Sequence, residues 1–337
     1  VKILGIETSC DECAAAVVED GRRVLGDVVA SQIEEHRPYY GVVPEIASRK
    51  HLEWIVPVVK ECLERAGLAP ADCDAVAATF RPGLIGSLLV GLSLAKGLAS
   101  ALGRPFIGID HVEAHLYAPR LEGDIAYPYL GVLVSGGHTM ISVVRGEDEL
   151  EVLGTTIDDA CGECFDKVAK HYDFGYPGGV AVDRLAQKGE ARAFHFPKPS
   201  LHKGDHTYDV SYSGLKNAVC NQLDQFWNKN FPKNPENIAA SFQRTAIDIL
   251  LDRVFSAARN RGVRRVVFGG GVAANSYLRE RLRSEPELET IFPALKYCTD
   301  NAAMVAGLAF HKLRKYGPSS LQLPASARVK AFRKLGG

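Results

Sequence analysis

The sequence predicts an α/β protein built from two halves of like plan. Three observations predict it: strand and helix patterns alternate through the first hundred residues, the alternation restarts after residue 125, and 337 residues exceed what one hydrophobic core comfortably holds.

In the first half, residues 2–8, 14–18 and 24–31 read as strands, and 45–66 repeats apolar residues at helical spacing. A strand over 74–79, a Leu-, Ala- and Gly-rich helix over 86–102 and a short buried strand over 106–109 complete that half. In the second half, 129–135 and 140–144 read as a strand pair around a Ser-Gly-Gly-His turn, followed by a strand over 150–155. Helical patterns cover 161–172, 180–188, 214–227 and 236–261. The last unit is a strand over 265–268, a glycine turn, a helix over 276–283, a strand-like run over 296–298 and a helix over 300–315. Each half opens with two strands joined around a small polar turn, so the duplication rests on element order, without a residue-level repeat. Residues 197–208, where Pro, Lys, His and Gly cluster, read as a surface loop inside the second half.

Composition is that of an ordinary soluble enzyme, 46% hydrophobic and 24% charged, and 40 basic residues balance 40 acidic ones. Net charge therefore predicts no partner. After Asp300 there is no acidic residue, whereas Lys312, Arg314, Lys315, Arg328, Lys330, Arg333 and Lys334 follow. That end reads as a phosphate-touching segment or as a solvated helix face with a frayed tail. No charged and apolar leader opens the chain, and no apolar stretch is read as reaching the ~18 residues of a membrane span, so a cytoplasmic protein with no membrane partner is expected. Eight cysteines are too few for a disulfide scaffold of this length.

The Ser135-Gly136-Gly137-His138-Thr139 turn sets consecutive glycines between apolar strands, which suits an anion-cradling backbone or a hairpin that needs positive φ. Gly269-Gly270-Gly271 follows an apolar strand and leads to Asn275 before a helix, the context of a nucleotide contact or of a tight turn capped by Asn275. His111 and His115 stand at i and i+4, a spacing that places two imidazoles on one helix face and suits one metal ion or two satisfied surface histidines. Glu113 lies about 200° around the helix from His111 and so does not take the place of a metalloprotease base. Asp300 is a candidate third ligand, or a cap for the final helix.

Two C-x-x-C pairs, Cys10 with Cys13 and Cys161 with Cys164, raise a tetrathiolate site or a redox disulfide, although some 150 residues separate them. Asp158, Asp159, Glu163, Asp166 and Lys167 gather at a helix start, where carboxylates complement the macrodipole. Asp11 and Glu12 form a carboxylate pair in a tight turn.

Together the segments 5–12, 41–45, 82–84, 111–115, 134–139, 165–167, 176–179, 213–216, 270–275 and 298–301 resemble, in order and spacing, the TsaD family of tRNA threonylcarbamoyladenosine synthesis proteins, with relatives in the KEOPS complex. The likeness covers nearly the whole chain. It implies an actin-like ATPase fold, two RNase H-like lobes around a nucleotide cleft, with residues 1–110 and 300–325 in the first lobe, 111–299 in the second and 326–337 as a basic tail. It also implies transfer of threonylcarbamoyl from threonylcarbamoyl-AMP, made by a separate synthase, to N6 of the tRNA adenosine 3′ to the anticodon. By the same likeness His111, His115 and Asp300 hold one divalent metal ion, Fe2+ ahead of Zn2+. Leu133, Val134, Ser135, Gly136, Gly137, Asp166, Gly179, Asp183 and Asn275 contact ATP or the adenylate, and Asp11 manages the amine. Implied partners are tRNA with TsaB-like and TsaE-like proteins, or KEOPS subunits. The sequence departs from the family's usual pattern at Cys13 (commonly Thr), Arg81 (Gly), Cys164 (Ala) and Val180 (Pro), none of them a ligand. The competing readings are a small-molecule kinase of the same superfamily, a metalloprotease of the sialoglycoprotein endopeptidase kind, and a nucleotide-switched scaffold.

Overall fold

The computed structural model describes residues 1–146, 149–201 and 206–328. It divides into two compact units, one formed by Val1–Ile125 with the segment from Pro293 onward, the other by Ala126–Phe292.

The first unit is a five-stranded sheet in the order β3-β2-β1-β4-β5. Its central strand β1 (Lys2–Glu7) runs antiparallel to β2 (Glu12–Glu19) and parallel to β4 (Ala75–Arg81). At the edges, β3 (Arg23–Ser31) is antiparallel to β2 and β5 (Phe106–Asp110) is parallel to β4. Because strand side chains alternate, β1 serves two cores. Leu4 and Ile6 join the core made with α2 (Pro44–Ala66) and α3 (Ile85–Leu102), whereas Ile3 faces α4 (His111–Tyr117) and α10 (Ala302–Tyr316). A short helix α1 (Ile33–His36) follows β3.

Gly5 stands on the α10 side, where a Cβ would meet the Ala302 carbonyl oxygen at 2.6 Å and the Ala306 nitrogen at 2.8 Å. Only glycine lets strand and helix approach so closely, and that approach brings the start of α10 beside the end of β1.

The second unit repeats the strand plan. Its central β6 (Tyr129–Val134) is antiparallel to β7 (Thr139–Val144) and parallel to β9 (Arg265–Gly269), with β8 (Leu150–Thr155) and β10 (Glu289–Ile291) at the edges. Its helices are α5 (Cys161–Tyr172), α6 (Gly178–Ala186), α7 (Ser213–Asn221), α8 (Pro235–Arg261) and α9 (Ser276–Arg283).

Several details differ from the sequence expectations. Residues 111–125 and 293–299 belong to the first unit rather than the second, because Ala114, Tyr117, Ala118 and Leu121 share a core with the buried face of α10. The strand expected over 296–298 is a 3-10 turn, Leu295–Tyr297, and β10, three residues long, was not anticipated. Helix α7 ends at Asn221 and a separate 3-10 turn, Leu223–Gln225, follows. Contrary to the expectation that no stretch is long and apolar enough to span a bilayer, the 18 residues of α3 pass that test. The helix uses that character to bury Leu88, Leu92, Ala95 and Ala99 in its unit. Of the basic end, Lys330, Arg333 and Lys334 lie outside the described residues, as do positions 202–205 of the expected loop.

Candidate functional site

The first unit gathers its chemistry where β1, β5 and α10 end or begin. Asp110 closes β5 and caps α4, its Oδ1 accepting from the N–H groups of Val112 (3.0 Å) and Glu113 (3.4 Å). Its Oδ2 accepts from Arg81 Nε at 2.9 Å. This anchored first turn presents His111 and, one turn on, His115, with the rings 4.5 Å apart and nearly perpendicular.

Both imidazoles are buried, which removes the surface-histidine reading. Their Nε2 atoms converge on one oxygen, Asp300 Oδ1, at 3.4 Å from His111 and 2.9 Å from His115. Asp300 is not spent on capping α10; that cap is the neighbouring Asn301, whose Oδ1 accepts from Met304 N–H at 3.0 Å. Among the described residues these three form the one group of three or more His, Cys, Asp or Glu side chains gathered closely enough to share an ion. Two imidazole nitrogens and a carboxylate oxygen make a donor set that suits Fe2+, Zn2+ or Mn2+ with positions left for substrate oxygens. A buried Nδ1 on His115 that lacks a hydrogen-bond partner is consistent with a ring placed for what its other nitrogen holds.

Electrostatics tie the group together. Burial disfavours a charged His111, but the Asp300 and Glu7 carboxylates outweigh it and hold its pKa well above the ordinary imidazole value. Burial and the neighbouring His111 charge depress His115, whereas the two histidines overcome burial and hold Asp300 well below the usual carboxylate range. Glu113 is ion-paired with Lys312, so it has neither the place nor the freedom of a protease base.

The turn carrying Asp11 is held from four sides. Ser9 N–H donates to Glu7 Oε1 at 2.6 Å and the Ser9 carbonyl accepts from Leu84 N–H at 2.8 Å. The Cys10 carbonyl accepts from His51 Nε2 at 2.9 Å, and the Asp11 carbonyl from Gln32 N–H at 3.1 Å. Asp11 itself stays partly exposed. Glu12 is pushed well up by burial and then by the Asp11 and Asp300 charges, the mark of crowded carboxylates that a cation would relieve.

The sequence reading missed Glu7 and Ser9. Glu7 is wholly buried and its Oε2 accepts from Thr79 Oγ at 2.5 Å and lies 3.1 Å from His111 Nδ1. The available signal was a carboxylate directly after the apolar run Ile3–Ile6.

In the second unit the candidate residues collect at the carboxyl ends of the parallel pair β6 and β9, where open α/β sheets bind ligands. Leu133 and Val134 are buried in the sheet, so what they can offer outward is backbone. Ser135 N–H donates to the His138 carbonyl at 2.8 Å, closing the turn. Neither Gly136 nor Gly137 has positive φ, and a Cβ on either would meet nothing within 4 Å. The hairpin therefore does not require these glycines, and both lie exposed with open space beside them.

Helix α5 begins against this turn. Gly162 N–H donates to the Ser135 carbonyl at 3.1 Å, and a Cβ on Gly162 would strike that oxygen at 2.7 Å. Gly270, at φ +91°, comes so close to Val134 that a Cβ would meet its carbonyl oxygen at 2.4 Å. Farther along α5, Asp166 Oδ1 accepts from Gly178 N–H at 2.8 Å, which sets Gly179, with open space around it, at the start of α6. Asp183 accepts from Ser276 Oγ at 2.7 Å and from Asn275 Nδ2 at 3.3 Å. Asn275 also donates to Gln243 Oε1 at 2.9 Å and caps α9 through Leu278 N–H at 3.0 Å, so its amide is fully used inside the protein.

The remaining sequence candidates are structural. Asp158 accepts from Ser211, Tyr212 and Ser213 before α7, and Asp159 pairs with Lys167 and Lys216. All eight cysteines are free thiols, and none joins a ligand cluster among the described residues. Burial pushes the Cys13 and Cys161 thiols up to about 12, far from thiolate chemistry.

Comparison with known proteins converges on one family. The profile of "TsaD: tRNA N6-adenosine threonylcarbamoyltransferase" matches residues 23–307. Similar proteins named tRNA N6-adenosine threonylcarbamoyltransferase include those of Treponema denticola, 60% identical over 100% of this chain and 99% of the relative, and Treponema pallidum, 52% identical over 100% and 96%. The Borreliella burgdorferi protein is 47% identical over 99% of this chain and 96% of its own.

Among solved structures, full-length HypF in its phosphate- and nucleotide-bound form aligns with TM-score 0.61 at 15% identity, over 95% of this chain and 56% of HypF. Component A of the Acidaminococcus fermentans (R)-2-hydroxyglutaryl-CoA dehydratase aligns with TM-score 0.55 at 17% identity, over 94% of this chain and 100% of that one. At that identity these two establish the actin-like ATPase fold and nothing further. The family profile and the full-length relatives carry the rest: the chain belongs to the bacterial-type TsaD family of tRNA N6-adenosine threonylcarbamoyltransferases.

Proposed function

We propose that the chain takes threonylcarbamoyl from threonylcarbamoyl-AMP, supplied by a separate synthase, and places it on N6 of the adenosine 3′ to the anticodon in tRNAs reading ANN codons. The adenine amine attacks the carbamoyl carbon, the C–N bond forms, the bond to the phosphate oxygen breaks and AMP leaves with the electron pair; no covalent enzyme intermediate is needed. The observation that carries this reading is the convergence of His111, His115 and Asp300, a ligand set for one divalent ion, Fe2+ ahead of Zn2+. When bound, such an ion supplies Lewis acidity and orients the leaving phosphate.

The rest falls to the chain's own groups. Asp11, on a turn fixed through four backbone contacts, orients the amine and takes its proton. In the second unit the backbone N–H groups of Gly136 and Gly137 hold the adenylate phosphate, and Leu133, Val134, Ser135, Asp166, Gly179, Asp183 and Asn275 shape the nucleotide's seat.

A chain of zero net charge holds an anticodon loop poorly alone, so TsaB-like and TsaE-like partners are part of the proposal, in the cytoplasm.

The test supplies purified threonylcarbamoyl-AMP, without ATP or threonine, to the protein, partners and unmodified tRNA. Formation of threonylcarbamoyladenosine with AMP release is expected. No modified tRNA here, together with ADP release in a separate reaction that contains ATP and a small-molecule acceptor, would establish the kinase reading instead.

A further inference from the structure

We propose that Glu7 is a positioning residue of the metal centre, holding His111 with its proton on Nδ1 so that Nε2 presents its lone pair beside Asp300. The inference rests on the metal-site reading and adds to it a group that is not a ligand.

Glu7 closes the central strand of its sheet, on the same side as Ile3 and Gly5, and is wholly buried where its strand neighbours are core hydrocarbon. A carboxylate persists there only if its oxygens are fully engaged. Oε1 accepts from Ser9 N–H at 2.6 Å, and Oε2 accepts from Thr79 Oγ at 2.5 Å and meets His111 Nδ1 at 3.1 Å. An ionised carboxylate only accepts, so the Nδ1 contact requires a proton on Nδ1. That leaves Nε2 as the nitrogen free to give up its proton to an ion, and Nε2 is the atom 3.4 Å from Asp300 Oδ1. Ser9 Oγ also lies 3.2 Å from the same Nδ1.

His115 has no such partner, since its Nδ1 is buried and unbonded. The two histidines are thus not equivalent: one has its Nδ1 held by a carboxylate, the other has no hydrogen bond behind the ring. Carboxylates behind metal-binding histidines act in this way, and their loss typically weakens metal binding about 10–100-fold.

The substitution Glu7→Gln separates orientation from mere packing, because it keeps the shape and changes the hydrogen-bond polarity. Its single oxygen must serve Ser9 N–H, so the amide nitrogen faces Thr79 and His111 and can only donate. His111 would then offer a bare Nδ1 and carry its proton on Nε2, the form that cannot bind through Nε2.

Zn2+ affinity, measured by competition with a chelator, is expected to fall about 10–100-fold in Glu7→Gln while the metal-free protein unfolds at nearly the wild-type temperature. In Zn2+-loaded wild type carrying 15N-histidine, NMR is expected to show His111 metallated at Nε2 and protonated at Nδ1. That second measurement needs no variant to fold. Wild type that binds no Zn2+ would overturn the metal reading and this inference with it. Zn2+ binding by wild type together with equal affinity in Glu7→Gln, or with His111 metallated at Nδ1, would overturn this inference alone.

Discussion

Replacing Gly5 with Ala changes one hydrogen into a methyl group at the tightest contact between strand and helix in the first unit. The new Cβ would sit 2.6 Å from the Ala302 carbonyl oxygen, 2.8 Å from the Ala306 nitrogen and 2.9 Å from the Ala306 Cβ. Ordinary contacts begin near 3.4 Å, so α10 must withdraw by roughly the difference, about 0.8 Å at its first turn. Two of the three obstructing atoms are backbone, so no side-chain rotation relieves the clash. Overpacking of this kind costs about 1–3 kcal/mol, and a backbone obstruction belongs in the upper half of that range. For a unit of this size the loss corresponds to a fall of about 4–12 °C in Tm.

Asp300 lies two residues before α10, so the same withdrawal draws its Oδ1 away from both Nε2 atoms. Differential scanning calorimetry of the metal-free protein, paired with Zn2+ titration, reads both effects. A Gly5→Ala protein with unchanged Tm and unchanged Zn2+ affinity would refute the claim that the β1–α10 approach sets the metal geometry.

Other outcomes follow from the same reading. Arg81→Gly, which installs the residue common in the family, removes the 2.9 Å contact to the buried Asp110 and is expected to cost about 1–2 kcal/mol in urea unfolding, because that carboxylate keeps only its helix-capping partners. Asp159 has a lowered pKa, since Lys167 and Lys216 outweigh burial. A depressed carboxylate stabilises the fold above its unfolded pKa of about 4 and loses that contribution as pH falls through its folded value. Asp159→Asn should therefore be less stable than wild type by up to about 1 kcal/mol at pH 7, with the difference shrinking as pH falls below about 4 and disappearing only below the lowered folded value in pH-dependent thermal melts. Gly137→Ala meets no steric obstacle and needs no left-handed backbone, so its stability should match wild type within about 0.5 kcal/mol. Its KM for the adenylate should nonetheless rise several-fold if the turn's bare backbone cradles the phosphate.

Much of this architecture was legible in the sequence because hydrophobic periodicity is a local signal. Buried β1, β4, β6 and β9 are apolar runs, and α2 and α8 carry long helical patterns. The metal candidates were legible for a geometric reason: an i, i+4 histidine pair must share a helix face, wherever that helix sits. What escaped depended on the fold. Nothing local says that α4 buries Ala114 and Tyr117 against α10, so the boundary between units was expected at 110 rather than 125. Asp300 and Asn301 are both good caps, and only the helix start at Ala302 shows that Asn301 takes the role and leaves Asp300 free. The run 296–298 lacks the ladder partners that would make it a strand, whereas Glu289–Ile291 is one only because β9 lies beside it. Glu7 escaped because a buried carboxylate is recognised by its partners, which come from 72 and 104 residues away.

The central claim is that this chain transfers threonylcarbamoyl to tRNA by means of the His111, His115 and Asp300 centre. Its most direct test is mass spectrometry of nucleosides from unmodified tRNA incubated with the protein, ATP, threonine, bicarbonate, the upstream synthase and TsaB-like and TsaE-like partners, beside a His111→Ala/His115→Ala control. Threonylcarbamoyladenosine that forms with the wild-type protein and disappears in a folded control is the predicted result. Undiminished product from the folded double variant would contradict the role given to that centre.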